Sequence, residues 1–137
     1  MSNFTAHHLQ DALDTGVEIG VNQVEFHPSF NQKDLKDFCD SKGVLVTAFT
    51  PLGQGKDLAL DIVKKLSWKY NKGSSQVILN WLIAKGINAI PRSGKKEYIK
   101  DNFGALDWEM ETEDVGLIDN ASNGERIINT GFSEFDY

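Results

Sequence analysis

The stretch GINAIPRSGKKEYIKDN, residues 86–102, contains the unit on which the fold of this chain is built. Its apolar run over residues 87–90 predicts a short β-strand, and the proline and glycine that follow predict a turn. A helical pattern then begins near Lys96. A strand that leads through a turn into a helix is the repeating unit of a parallel α/β fold.

The same unit occurs twice more, earlier in the sequence. Apolar runs over residues 21–26 and 44–49 predict two further strands, and Gly43 ends the helix between them in the manner of a helix C-cap. Helical patterns cover residues 33–41, about 58–69, the region of Val77, Ile78, Trp81 and Leu82, and residues 112–121. The sequence therefore predicts three parallel strands connected by helices.

Composition indicates an ordinary globular chain and excludes several classes of function. The 137 residues are 40% hydrophobic and 25% charged, and a net charge of -6 argues against nucleic acid as a partner, because such binders need a broad basic face. No apolar run approaches the roughly 20 residues of a membrane helix, and the N-terminus lacks the features of a signal peptide. The single cysteine, Cys39, cannot form an internal disulfide, which favours a reduced thiol and the cytoplasm.

Three strands in this order predict an incomplete structure. The outer two strands would have unpaired edges, and the helices would have too little sheet to cover. A parallel barrel of eight strands takes roughly 250 residues and carries its chemistry at the carboxyl ends of its strands. We therefore expect part of such a barrel, with exposed sheet edges available for self-association or for pairing with another chain.

The turn after the third strand has the composition of a phosphate site. The backbone N–H groups of Ser93, Gly94 and Lys95, with the positive end of the following helix dipole, would point at one anion. Arg92 adds a planar fork of donors, and Lys95 adds a point charge. The alternative is that the adjacent Lys95 and Lys96 are solvated surface charges.

Four segments together resemble the aldo-keto reductase family: SNF at residues 2–4, VNQVEFHP at 21–28, TAFTPLG at 47–53 and IPRSGKKEYIKDN at 90–102. Their order and spacing match the C-terminal part of that family's barrel, from the SNF motif after strand five to the tail. The resemblance implies an α/β fold, a partial TIM (β/α)8 barrel with about strands six to eight and their helices. Residues 1–137 would be the C-terminal, cofactor-binding half of a single barrel.

The resemblance also implies NADP(H) as the cofactor. Ser2, Asn3 and Gln23 match the residues that hydrogen-bond the nicotinamide carboxamide in the family. Phe49 replaces a tyrosine that stacks on the nicotinamide ring, and keeps its flat apolar face. The residues that match the family's pyrophosphate segment are Thr50, Leu52 and Gly53.

At the adenosine end, Arg92 and Ser93 match the pair that binds the 2'-phosphate in the family. Tyr98 replaces an arginine that packs on the adenine in many members, which leaves the preference for NADPH over NADH partly open. The predicted cofactor set is completed by Gly94 and Lys95 beside the phosphate, and by Asp101 and Asn102 near the adenine.

The family reduces aldehydes and ketones to alcohols by hydride transfer, with a tyrosine, a lysine, an aspartate and a histidine as the proton relay. None of these four is identified here, since Tyr70, Tyr98 and Tyr137 lie in a crossover helix, the adenine region and the tail. The resemblance implies an NADPH-dependent oxidoreductase that acts on a small-molecule carbonyl. It also implies that this truncated chain, with no catalytic residue of its own, is inactive alone.

Three further features are assigned weaker roles. His27, at a strand end, is expected to make a local hydrogen bond, and the adjacent His7 and His8 cannot share one helix face, so no metal site is predicted. The residues of the tail that match a segment bordering the substrate are Phe132, Phe135 and Tyr137.

The alternative functions are a non-catalytic NADP(H)-binding module, a half-barrel that assembles with another chain, or a decayed gene product without function.

Overall fold

The computed structural model describes residues 1–130 and confirms an α/β fold. The strands are β1 (Val21–Glu25), β2 (Leu45–Phe49) and β3 (Asn88–Ala89). The helices are α1 (Ala6–Asp14), α2 (Lys33–Ser41), α3 (Asp61–Tyr70), α4 (Ser74–Ala84), α5 (Lys96–Phe103) and α6 (Thr112–Asp119). Short 3-10 turns cover Gly53–Gly55, Asp57–Ala59 and Gly104–Leu106. In this part of the chain, no helix has the length and apolar character needed to cross a membrane.

The three strands form one parallel sheet in the order β1, β2, β3, as the sequence predicts. Gln23 lies opposite Thr47, Glu25 opposite Phe49, and Ala48 opposite Ala89. Because all three strands run in the same direction, their carboxyl ends lie along one edge of the sheet.

Residues 1–3 extend the sheet beyond β1. Ser2 forms a parallel bridge with Gln23. The Gln23 N–H donates to the Met1 carbonyl at 2.9 Å, and the Asn3 N–H donates to the Gln23 carbonyl at 2.8 Å. The first residues of the chain are therefore fixed beside β1 by backbone hydrogen bonds.

One face of the sheet is packed against helices, and the other is partly open. Val24, Val46 and Ala48 are at most 2% exposed, whereas Val21 and Leu45, which alternate with them along the strands, are 39% and 56% exposed. The helix residues that pack on the closed face include Leu9, Cys39, Leu66, Ile78, Trp81 and Leu82. An open inner face is consistent with part of a barrel, because the strands of a complete barrel fill its interior from all sides.

Two boundaries differ from the sequence prediction. The helix expected over about 58–69 is interrupted, since Leu60 has extended backbone (φ -58°, ψ 135°) between a 3-10 turn and α3. The strand expected over residues 87–90 is regular only at Asn88 and Ala89, although the Ile90 N–H also donates to the Ala48 carbonyl at 3.1 Å. β3 lies at the edge of the sheet, so a neighbour on one side alone sets its length.

Candidate functional site

Three segments of the predicted cofactor set lie along the sheet, one for each strand. Residues 2–3 lie beside Gln23 of β1, residues 49–53 end β2, and residues 92–95 follow β3. Neighbouring strands are about 4.8 Å apart, so the three segments form a row across the sheet. Such a row fits an elongated ligand better than a compact one.

The β1 end of this row contains a buried acceptor that lacks a partner. Asn3 has left-handed backbone (φ 58°), and within residues 1–130 its buried side-chain oxygen Oδ1 has no hydrogen-bond partner. A buried polar atom left unpaired costs free energy, so its presence requires an explanation. A ligand N–H group directed at Asn3 Oδ1 would supply the missing hydrogen bond.

The segment after β2 forms a sharp turn. Thr50 (φ 52°) and Gly53 (φ 58°) have left-handed backbone, and the Gly53 N–H donates to the Thr50 carbonyl at 2.9 Å. Phe49, which precedes the turn, is half-buried, and Leu52 packs against the core. The turn is therefore held in one shape, with the ring of Phe49 at its start.

The segment after β3 carries positive charge that no carboxylate of residues 1–130 neutralises. Arg92, Lys95 and Lys96 are exposed, and none of them forms an ion pair within residues 1–130. In contrast, Lys69 pairs with Glu111 and Asp114, and the paired lysines elsewhere are Lys33, Lys36, Lys56 and Lys85. The charges at residues 92–96 are thus available to an anion.

Local contacts shape this basic turn. Ser93 Oγ accepts a hydrogen bond from the Lys95 N–H at 3.2 Å, which closes the turn immediately before α5. The Lys95 ammonium lies 5.1 Å from the centroid of the Tyr98 ring, which is 58% exposed. Gly94 has open space around its Cα, so ligand atoms could approach the backbone there. Tyr98 therefore guides the position of Lys95 beside the turn.

Asp101 and Asn102, both predicted near the adenine, have contacts within the chain. Asp101 Oδ2 accepts from Ser75 Oγ at 2.9 Å, and Asp101 Oδ1 accepts from Gln76 Nε2 at 3.1 Å. These bonds connect α5 to the start of α4. Asn102 and mainly apolar side chains such as Ile99 line a cavity of about 610 Å³ between α4, β3 and α5. Of the residues that line this cavity, Asn102 belongs to the predicted cofactor-binding set.

A buried charged network beside the strand ends was not predicted from the sequence. His27 is 0% exposed, and its Nδ1 lies 2.8 Å from Asp57 Oδ2 while its Nε2 lies 3.1 Å from Glu25 Oε1. Both ring nitrogens donate only when the imidazole is protonated. Burial opposes that charge, but the hydrogen bonds to Asp57 and Glu25 outweigh burial and raise the pKa of His27 above its usual 6.5.

The two carboxylates of this network have further partners. Asp57 accepts from the Ser29 N–H at 3.0 Å and from Ser29 Oγ at 2.7 Å. Burial would raise the pKa of Asp57, but the bonds from His27 and Ser29 prevail and lower it below 3.8. Glu25 ends β1 and His27 follows two residues later, a spacing that places both side chains on one face where the chain is extended. The sequence contains that signal, but none for Asp57.

Tyr70 lies beside a lysine and two carboxylates, an arrangement that the sequence analysis did not identify. Its hydroxyl donates to Asp114 and accepts from the Glu111 N–H at 3.1 Å, and Lys69 donates to Asp114 at 2.7 Å. Burial and the Asp114 carboxylate raise the pKa of Tyr70, the opposite of what a proton donor at neutral pH requires. The cluster joins α3 to α6, so its role is structural.

The tail residues Phe132, Phe135 and Tyr137 lie outside the described residues.

Comparison with known proteins identifies the family. The model of the Aldo/keto reductase family matches residues 1–123, and this chain belongs to that family. It is 40% identical over 128 residues to the glyoxal reductase of Bacillus subtilis, covering 93% of this chain and 46% of that protein. The chain thus spans about half the length of the curated relatives it matches.

Solved structures support the same family assignment. An aldo-keto reductase enzyme from a Medee basin deep-sea metagenome library superposes with a TM-score of 0.90 at 32% identity, over 98% of this chain and 50% of that one. An aldo-keto reductase of Bombyx mori in complex with NADP gives a TM-score of 0.86 at 27% identity, over 93% of this chain and 45% of that one.

One part of the sequence-based assignment is wrong. The resemblance was expected to place the chain in the C-terminal part of the family barrel and to extend to the tail. The family match instead covers residues 1–123, the N-terminal part of this chain, which aligns with the first halves of the relatives. Four short motifs identified the family correctly but did not locate the chain within it.

Proposed function

We propose that this chain forms the NADP(H)-binding part of an aldo-keto reductase that reduces the carbonyl group of a small aldehyde or ketone. The observation that carries the proposal is the row of three segments on neighbouring strands, formed by residues 2–3 with Gln23, residues 49–53 and residues 92–95. Structural relatives in complex with NADPH and NADP support the choice of cofactor.

The nicotinamide end of the cofactor is assigned to β1 and the end of β2. When bound, NADPH supplies the hydride that reduces the carbonyl carbon. Asn3 Oδ1, which has no partner among residues 1–130, fits the N–H₂ group of a carboxamide, and Ser2 and Gln23 offer further polar groups beside it. Phe49 offers a flat face on which an aromatic ring can stack. Together these groups would present one face of the ring to the substrate.

The phosphates and the adenosine are assigned to β2 and β3. Arg92 and Ser93 would hold the 2'-phosphate, since a guanidinium matches phosphate oxygens with two parallel N–H groups. Lys95, positioned by Tyr98, adds a charge that compensates for the arginine this chain lacks at position 98. The pyrophosphate is assigned to Thr50, Leu52 and Gly53. Gly94 would lie beside the phosphate, and Asp101 and Asn102 would lie near the adenine.

Within residues 1–130, we assign no side chain as a proton donor. Tyr70 is engaged by Asp114 and Glu111 between two helices, and its pKa is raised rather than lowered. Purified chain is therefore expected to bind NADPH without oxidising it in the presence of an aldehyde. The buried Cys39 thiol, whose pKa burial raises, supports a cytoplasmic location as part of the proposal.

The second candidate function is a half-barrel, or NADP(H)-binding module, that assembles with another chain. The observation that favours it is the apolar cavity beside the edge strand β3, where Ile99, Phe103 and Leu106 are 47%, 67% and 62% exposed. Apolar surface of this kind commonly marks an interaction site. Sedimentation of the purified chain with and without NADPH would distinguish a monomer from an assembly.

A direct binding titration tests the first candidate. Calorimetry with NADPH and NADH is expected to give tighter binding of NADPH, and Arg92→Ala should weaken NADPH about tenfold while leaving NADH unchanged, since one charge-assisted contact is lost. Lys64→Ala removes an exposed cation on α3 and serves as the matched control. Equal affinities for the two cofactors, or no effect of Arg92→Ala, would contradict the assignment.

A further inference from the structure

We infer that His27 is a positioning residue that couples the loop of residues 50–57 to the segment of residues 126–128, so that each holds the other in place. The inference rests on the proposed function in one respect, because the loop is the one assigned to the pyrophosphate of the cofactor. It adds a connection between that loop and a part of the chain 69 or more residues later in the sequence.

The loop side of the connection passes through Asp57. The carboxylate bonds His27 Nδ1 at 2.8 Å, and its carbon would lie 2.6 Å from a Cβ on Gly53. Gly53 and Asp57 are thus in direct contact across the loop. A shift of the Asp57 carboxylate would change the space available to the Gly53 turn.

The other side of the connection passes through Glu25. Its fully buried carboxylate accepts from the Ile127 N–H at 2.6 Å and from the Ile128 N–H at 3.0 Å. The same carboxylate lies 3.1 Å from His27 Nε2 and 3.9 Å from Arg126 Nη1. Glu25 is therefore the point at which residues 126–128 attach to the end of β1.

His27 is the link because it contacts both carboxylates and is itself shielded from solvent. Among residues 1–130, the charged groups that contact the two carboxylates are Arg126 on the Glu25 side and His27 between them, and the neutral Ser29 donates twice to Asp57. Loss of the ring proton removes one of the two donors, which leaves one buried carboxylate without that bond. The protonated ring thus holds both segments at once, and the neutral ring holds only one.

A surface contact between the same two regions provides an internal control. Lys56 Nζ lies 3.2 Å from Glu125 Oε1, and these side chains are 63% and 52% exposed. Exposed ion pairs contribute little to stability because water and salt screen them. A substitution that removes this ion pair changes the charge of the region but does not alter the buried network.

Amide hydrogen exchange by NMR on the full chain tests the coupling in both directions. Glu25→Gln places an N–H₂ group against a donor, and is expected to speed exchange about tenfold at Gly55 and Lys56, in a loop that Glu25 does not contact. Asp57→Asn is expected to speed exchange by a similar factor at Ile127 and Ile128. Lys56→Ala should change Gly55 and Ile127 less than twofold. Changes confined to the segment that each variant contacts would overturn the inference.

Wild-type protein gives a second test that needs no substitution. As the pH rises above 6.5, the His27 ring protons and the amides of Ser29 and Ile127 are expected to shift with one common midpoint. A ring that titrates while the Ile127 amide stays constant would overturn the inference.

Addition of NADPH separates this inference from the proposed function. If both are correct, NADPH slows exchange at Ile127 and Ile128 as well as in the loop. If NADPH fails to bind, the proposed function is wrong, while the two variants and the wild-type titration still decide whether His27 couples the segments.

Discussion

The carboxylate carbon of Asp57 lies 2.6 Å from the position that a Cβ on Gly53 would occupy, so the two residues fit together only because position 53 has no side chain. Gly53 also has a φ of 58°, which side chains disfavour. Gly53→Ala should therefore lower the free energy of unfolding by about 2–4 kcal/mol, from left-handed strain of about 1–2 kcal/mol and a disturbed buried hydrogen bond. Urea unfolding measures this change.

Gly55→Ala is the matched control for that prediction. Gly55 has a φ of 90° in the same loop, but nothing lies within 4 Å of the point where its Cβ would be. Gly55→Ala should therefore lower the free energy of unfolding by the backbone cost alone. Equal free energies of unfolding for the two variants would mean that the contact between position 53 and Asp57 adds nothing to that cost.

The buried histidine predicts a specific dependence of stability on pH. The pKa of His27 is higher in the folded chain than its usual 6.5, because hydrogen bonds to Asp57 and Glu25 outweigh burial. Its contribution is fully present below pH 6.5 and is lost as the pH rises through the raised folded pKa. Urea unfolding from about pH 6 to 9 should show wild type losing its advantage over His27→Gln. His7→Gln, on the exposed side of α1, controls for loss of an imidazole.

An isosteric substitution of Asn80 should have a large effect on the free energy of unfolding. The side chain is 3% exposed; its Nδ2 donates to the carbonyls of Ala105 at 2.8 Å and Trp108 at 2.7 Å, and its Oδ1 accepts from the Met110 N–H at 3.1 Å. Asn80→Asp removes both donors and should lower the free energy of unfolding by about 2–5 kcal/mol. The exposed Asn88→Asp should have little effect in the same thermal or urea assay.

Tyr70 should affect stability without affecting cofactor binding. Tyr70→Phe removes the hydroxyl that bonds Asp114 and Glu111, and should cost about 1 kcal/mol. Its affinity for NADPH should equal that of wild type, because the cluster lies between α3 and α6. A loss of NADPH affinity larger than threefold would mean that this cluster communicates with the strand ends.

Regular elements were predictable because their signals are local. Apolar runs located β1 and β2 to within one residue, and the helical pattern together with Gly43 located α2. The edge strand β3 was overestimated, since its length depends on neighbours rather than on its own residues. The interruption at Leu60 was missed because a single extended residue hardly changes the helical pattern.

The candidate site was predictable only where motifs are contiguous. The basic turn at residues 92–96 was visible as a cluster, and its lack of carboxylate partners within residues 1–130 is now an observation. Asp57 could not be connected to His27, 30 residues away, nor Glu25 to Ile127, because such contacts depend on the fold. The position of the chain within its family was also beyond what short motifs determine.

In the proposed binding mode, a dinucleotide lies across the three strands with its nicotinamide at β1 and its 2'-phosphate at β3. The most direct measurement maps amide shifts by NMR with two half-ligands, nicotinamide mononucleotide and adenosine 2',5'-bisphosphate. We expect the first to shift Asn3 and Gln23, and the second to shift residues 92–96 together with Asp101 and Asn102. Shifts of Asn3 and Gln23 by the bisphosphate, or no shift of any of these residues by either half-ligand, would rule this binding mode out.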